Sequence, residues 1–467
     1  MVDWQAVKDP DEVDLLRTAA RLATDYVATI DDRPVRPEPV ALEALGELDE
    51  PLPEHGTDPA ETLALLDRLG SPASIASTGS NYFGFVIGAT YPVALGASWL
   101  TSSWDQNNAL RIASPGTAAI HDVTRTWLVD LLSLPTETEI GFVTGATMAN
   151  ATCLAVARDA LLAEAGWDVQ SQGLFGAPEL TVVIGERAHS TLSKSLGLVG
   201  LGRDRVTVVP ADDQGRMRAV LLAEVVADGD GPVLVCAQAG EVNTGAFDPF
   251  DELADWLADR GGGWLHVDGA FGLWALADPT RFDLVAGLNR ADSWATDAHK
   301  WLNVTYDSGI AFVARPGALR RTFAAMAGYL VTTDTYEGMH NTPQSSQRAR
   351  QTEVWAVLRT LGRDGVAELV QRTSACAVVI AERLRDAGFE ILNDVVLNQV
   401  LARFVDGPTT ERLIAAIQAD GRIWLGPTQW DGATAMRISV SSWRTDFADA
   451  DAAADVIVEL ADELRRD

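Results

Sequence analysis

Between residues 141 and 314 the chain repeats one pattern, a short apolar run of β character followed by a stretch of helical character. The runs are GFVTG at 141–145, TVVIGE at 181–186, VTVVP at 206–210, VLVCAQA at 233–239, WLHVDGA at 264–270, DSWATD at 292–297 and GIAFVA at 309–314. Strands this apolar have no face to give to water, so they fit a mainly parallel α/β sheet with helices on both sides. Sites in such sheets gather beyond the carboxyl ends of the strands. Four polar residues stand at those ends: Thr144, Glu186, Asp268 and Asp297.

The flanks read differently. Residues 1–80 form a helical N-terminal segment. Val13, Leu16, Ala20, Ala23 and Val27 have helical spacing, but two of the five are only alanine. So thin an apolar face cannot fold alone and needs another surface to lie on, a second subunit's included. Residues 81–335 make the large domain and 336–467 a loop with a smaller C-terminal α/β domain, in which QVLARFV and TAMRISVSS alternate like strands. The segment 80–115 is dense in aromatics, Gly, Ser and Asn, as binding walls and turn-rich core segments both are. In the helix after it, Ile120, Val123, Trp127 and Leu131 are expected on one helical face.

Composition narrows the function. The formal net charge is −30, which repels nucleic acid and anionic membranes as partners and would also suit a high-salt environment. Apolar runs are too short for a membrane span, and MVDWQAVKDPDEVD is not a secretory signal. Cys153, Cys236 and Cys376 are odd in number and set in apolar sequence. They read as buried reduced thiols, with no disulfide frame and no metal site. Together these suggest a cytoplasmic enzyme.

Three residues carry the chemical reading. Of the 36 basic residues only Lys8, Lys194 and Lys300 are lysine. Lys300 lies in DAHKW, and an amine, unlike a guanidinium, can attack a carbonyl to form a Schiff base. Its alternative is a snorkelling lysine whose stem lies on Trp294 or Trp301. Asp268 ends an apolar strand, where a carboxylate needs a cation or serves to cap the turn after it. TGATMAN at 144–150 opens a helix whose free N–H groups suit a phosphate. No G-x-G-x-x-G or Walker pattern occurs, which disfavours dinucleotides and ATP.

A phosphate-binding helix start, a buried aspartate and a near-unique lysine, in this order, suit pyridoxal 5'-phosphate. With these motifs the chain, from about Asn81 to its end, resembles the pyridoxal-phosphate-dependent group II amino-acid decarboxylases, which include aromatic amino acid and glutamate decarboxylases. The resemblance implies an aspartate-aminotransferase-like fold (fold type I) and a homodimer whose N-terminal helices embrace the partner. It implies that Lys300 holds the cofactor with His299 before it, that Asp268 meets the pyridine nitrogen with Ala270 two residues on, and that Ala146 and Thr147 form the phosphate turn. His189 then stacks on the ring, or is a capping or core histidine. Arg437 binds the substrate carboxylate, or pairs with one of the many acids. A loop within 329–355 carries a tyrosine that protonates the carbanion, and Tyr336 matches it across a small gap.

The sequence departs from the family at two places. Ala298 replaces the usual proline before HKW, and Val242 stands where a threonine often contacts the cofactor, with Asn243 or Thr244 as substitutes. Tyr82, Phe83, Phe85, Trp99 and Trp104 suggest an aromatic or bulky apolar substrate, with Phe85 and Trp104 as side-chain contacts. Gln106, Asn107 and Asn108 resemble residues of glutamate decarboxylases. The expected reaction is decarboxylation of an L-amino acid to its amine. Alternatives are decarboxylation of an acidic amino acid, aldehyde formation, carbon–carbon cleavage on the same fold, or a silent cofactor-binding protein.

Overall fold

The computed structural model describes residues 12–226, 231–324 and 336–466. The seven apolar runs form one sheet: β1 (Glu139–Val143), β2 (Thr181–Gly185), β3 (Thr207–Val209), β4 (Val233–Gln238), β5 (Trp264–Asp268), β6 (Ser293–Asp297) and β7 (Gly309–Val313). Their order is β1-β7-β6-β5-β4-β2-β3. Only β7 runs against its neighbours, β1 and β6; the other four pairings are parallel. The carboxyl ends of β1, β2, β4, β5 and β6 therefore share one edge of the sheet.

Alternate residues of these strands feed two apolar layers. Val182, Ile184, Leu234, Cys236, Trp264 and Ala295 pack under the helix Ala146–Glu164. Val183, Val235, Leu265, Val267, Trp294 and Phe312 face the other way, into a layer that includes Val354, Val357 and Val370 of the helix Gln351–Asp386. The three cysteines are free and buried.

A four-stranded sheet, β8 (Glu390–Ile391), β9 (Gln399–Arg403), β10 (Gly426–Trp430) and β11 (Ala433–Ser439), runs in the order β10-β11-β9-β8. β10 contains Pro427, which its edge position tolerates. Helix Gln351–Asp386 joins the two cores: Val370 belongs to the first and Cys376 to the second. Phe83 also belongs to the second core, and its backbone N–H and C=O bond Trp424 and Ser439. The wall segment after residue 80 is thus tied to the C-terminal sheet.

One expected helix face is only partly the buried one: Leu131 is buried and Trp127 packs on the core. In Pro115–Leu131 the buried side runs through Thr117, His121, Thr124 and Leu128, while Val123 is exposed. Threonine can take this place because its hydroxyl satisfies itself on the preceding turn, as Thr124 does on the Ile120 carbonyl at 2.7 Å. The N-terminal helix Glu12–Ala28 buries none of its residues. Among the described residues no helix is long and apolar enough to cross a membrane.

Candidate active site

At the shared edge a cavity of about 180 Å³ is lined by Gly145, Ala146, Thr147, His189, Thr191, Gln238, Val242, Asp268, Ala270, Asp297, His299 and Lys300, among others. Each comes from a strand end or the turn after it. Asp268 ends β5, Asp297 ends β6 and Lys300 follows three residues later. The indole N–H groups of Trp294 and Trp301 are spent on the Leu288 carbonyl and the Thr373 hydroxyl, and both rings are buried.

Asp268 is buried, and among the described residues no cation lies within ion-pair distance of it; its carboxyl accepts the Ala270 N–H at 3.2 Å, and the Asn150 amide also favours its ionised form. Burial pushes its carboxyl above the usual range, while His189 and Lys300 pull it down. A carboxylate so placed calls for a protonated partner in the cavity.

His189 caps the helix Ser190–Leu198. Its Nδ1 accepts from the Thr191 backbone N–H at 3.3 Å and lies 2.7 Å from the Thr191 hydroxyl. An N–H can only donate, so the neutral ring carries its proton on Nε2. Burial, above all, keeps the imidazole below its ordinary pKa. The residue is at once a capping histidine and a wall of the cavity.

Asp297 belongs with these residues, although the sequence marked it only as a polar strand end. Its Oδ1 accepts the Ala146 N–H at 2.5 Å and its Oδ2 lies 3.1 Å from Lys300 Nζ. His299 Nδ1 accepts from the Ser308 N–H, so its Nε2–H points to Asp297, 3.5 Å away. A carboxylate thus sits on the helix start where an anion would bind. Replacing Asp297 by asparagine is expected to tighten the binding of pyridoxal phosphate to the apoprotein about tenfold, since a nearby negative charge costs at least that after screening. Equilibrium titration of the apoprotein measures it. Weaker binding would mean that the Asp297–Lys300 pair assists the cofactor.

Gly88 brings the wall segment against the lysine turn. A Cβ there would stand 1.8 Å from the Lys300 carbonyl oxygen and 3.2 Å from Asn303 Cγ. Asn303, at φ +57, binds the Trp301 and Ser441 carbonyls and accepts from the Trp443 N–H, so this turn cannot easily retreat. Gly88→Ala is expected to destabilise the fold by about 3 kcal/mol in thermal or denaturant unfolding. Gly116→Ala, in open helix surface, is the control that should leave stability unchanged or raised.

Arg437, on β11, makes no hydrogen bond or ion pair among the described residues. Burial pushes its guanidinium below the ordinary range, against the pull of Glu241 and Tyr82. It lies in the electrostatic field of His189 and Tyr82. Burial raises the Tyr82 phenol to about 12, with Tyr306 facing it. Tyr306 in turn stacks on His299 at 4.1 Å.

The structure does not bring every expected residue to the cavity. Phe85 and Trp104 are 58% and 46% exposed and do not line it; Phe85 leans on Trp424, which also stacks on Tyr82. Tyr336 stacks on buried His121 at 3.4 Å and is absent from the lining. Residues 329–335 of the expected loop lie outside the described residues. Glu186 is exposed and holds the Ala211 N–H. Val242 lines the cavity, whereas Asn243 and Thr244 turn to Glu241 and do not replace the missing threonine. Gln106 bonds the Trp104 carbonyl, Asn107 the Ala109 N–H, and Asn108 bonds Gln351 and Thr117.

A pyridine ring with an aldehyde and a phosphate arm fits this donor set. The lone carboxylate of Asp268 suits the ring nitrogen and Lys300 the aldehyde. The helix start with the Thr147 and Thr191 hydroxyls suits the phosphate, and Asp297 is the one charge that opposes it.

Residues 74–405 match the family model described as the pyridoxal-dependent decarboxylase conserved domain. The chain is 30% identical to an aromatic-L-amino-acid decarboxylase of Bacillus atrophaeus, over 74% of this chain and 71% of that one. It is 30% identical to an L-2,4-diaminobutyrate decarboxylase of Rhizobium meliloti (strain 1021), over 89% and 84%. It is 33% identical to an acidic amino acid decarboxylase of Bos taurus, over 48% and 45%. Among solved structures, that of Oryza sativa TDC with PLP and tryptamine shares the fold, with a TM-score of 0.90 at 22% identity over 97% of this chain and 98% of that one.

Proposed function

The chain belongs to the pyridoxal-dependent decarboxylases, lyases that use pyridoxal phosphate to remove CO2 from amino acids, and from that premise we propose that its substrate is an L-amino acid with an aromatic or bulky apolar side chain, released as the amine. The observation that carries this reading is the guanidinium of Arg437, which has no ion-pair partner among the described residues and whose charge is felt at His189 and Tyr82. A half-buried cation with no ion-pair partner among the described residues suits the substrate's α-carboxylate, and the ring of Tyr82 in its field, with Tyr306 beyond it, suits an apolar side chain. The polar groups of Gln106, Asn107 and Asn108 are engaged within the chain, which removes the main sequence argument for an acidic substrate.

When bound, the cofactor supplies a ring that accepts the electron pair left by CO2. The protein's part is placement and protons. Asp268 keeps a protonated nitrogen charged in a site where water is scarce. Arg437 fixes the carboxylate so that the bond to be broken stands across the ring plane. His189, with its proton on Nε2, walls the cavity and could move a proton there. Lys300 Nζ would hold the cofactor's aldehyde and, as a free amine, would be a second proton carrier. We further propose a cytoplasmic homodimer. An apolar groove lined by Leu22, Tyr26, Val27, Leu63, Leu66 and Leu95 supports pairing with a second copy.

Mass spectrometry of products, after incubating the cofactor-loaded protein with each common L-amino acid, tests the reading. One aromatic or bulky apolar amine with CO2 is expected. An amine from an acidic or diamino substrate would overturn the substrate class, and aldehyde would overturn the product.

A further inference from the structure

Beneath Asp268 the structure holds a line of buried polar groups that the reaction described above does not use. Trp264, His266 and Asp268 alternate along β5 and point to the same side, towards the helix Ala146–Glu164. Trp264 Nε1 lies 2.8 Å from the Ser293 hydroxyl, Ser293 lies 2.9 Å from His266 Nδ1, and His266 Nε2 lies 2.8 Å from Asn150 Oδ1. His266, Ser293 and Asn150 are all fully buried within an apolar layer. Polar groups there are costly, and apolar residues of similar shape could fill the space.

The direction of the chain is read from its Asn150 end. The Trp264 indole can only donate, so Ser293 accepts it and is free to donate to His266 Nδ1. Burial holds His266 neutral, at about 3. Its single proton is then on Nε2 and is given to Asn150 Oδ1. That turns the Asn150 amide so that Nδ2 faces away from the histidine. Nδ2 is buried with no closed hydrogen bond among the described residues, and Asp268 is the carboxylate whose ionised form the amide favours. The reverse polarity would set Asn150 Oδ1 against that carboxylate and leave the Ser293 proton without this acceptor.

We propose that Ser293, His266 and Asn150 form a one-way hydrogen-bond chain whose last donor, Asn150 Nδ2, keeps Asp268 ionised and aimed at the cofactor's ring nitrogen. These are positioning residues, acting through Asp268, and the proposal rests on Asp268 being the partner of that nitrogen. Without the chain, burial favours a neutral Asp268 acid, which cannot hold a pyridinium.

The test compares the affinity of the apoprotein for pyridoxal phosphate with that for its 1-deaza analogue, in which C–H replaces the ring nitrogen. Asn150→Leu is expected to weaken pyridoxal phosphate by about tenfold or more, the usual worth of a hydrogen bond to a charged group, and to leave the analogue within about twofold. Ser293→Ala, two links away and a milder change should Asn150→Leu fail to fold, is expected to show a smaller loss with the same selectivity. Equal losses for both ligands would reduce the chain to packing and overturn the proposal, as would no loss for either. Asp268→Asn separates the two levels. If it too fails to distinguish the ligands, the assignment of Asp268 falls and the chain with it; if it distinguishes them and Asn150→Leu does not, the chain alone falls.

Discussion

Replacing Lys300 by alanine is expected to lower kcat/KM for decarboxylation by at least about a thousandfold and to abolish covalent retention of the cofactor. Of the three lysines, Lys8 lies outside the described residues and Lys194 does not line the cavity. Lys300 does, at 3.1 Å from Asp297 and on the same sheet edge as Asp268. The variant loses both the held geometry of the cofactor and a proton carrier beside the reacting carbon, and these losses multiply. The fold should survive, since alanine leaves Asp297 bound to the Ala146 N–H and both tryptophans packed. Unchanged thermal stability with lost turnover is therefore the expected pair of results. Turnover within tenfold of wild type would move the amine elsewhere.

Arg437→Met is expected to raise KM for the amino acid by about a hundredfold or more, with a smaller effect on kcat. Removing one partner of a buried charge pair costs about 2–5 kcal/mol. Among the described residues no carboxylate lies within ion-pair distance of Arg437, so the variant should lose binding without losing stability; methionine fills the space and relieves the desolvation that now pushes the guanidinium down. If the variant were unstable and its KM unchanged, Arg437 would be a structural cation held by the field of Glu241. Steady-state kinetics with the amine-forming substrate, beside a thermal melt, separate the two.

The sheet was legible because its strands are apolar on both faces, a pattern that few other arrangements produce. All seven runs became its strands, and the family resemblance pointed to the same fold. Legibility failed where neighbours distant in sequence decide the outcome. The helix Pro115–Leu131 buries threonines that satisfy their own hydroxyls, so hydrophobic spacing found only part of its buried side. β10 contains a proline that only its edge position permits. Gly88 looks like any loop glycine, and its constraint exists only because the Lys300 carbonyl passes against it. Asp297 was visible as a polar strand end, but its hold on both the helix start and the lysine depends on β6 lying beside β5 and near β1. The aromatics Phe85 and Trp104 were read as a pocket wall from density alone, and within one chain they face outward. Tyr336 was matched to the family's loop tyrosine across a small gap, and in this structure its ring stacks on His121.

The measurement that bears most directly on the central claim is borohydride reduction of the cofactor-loaded protein, followed by proteolysis and mass spectrometry of the lysine peptides. The account predicts one pyridoxyl group per chain, on Lys300. A label on Lys194 or Lys8, or none at all, would contradict it.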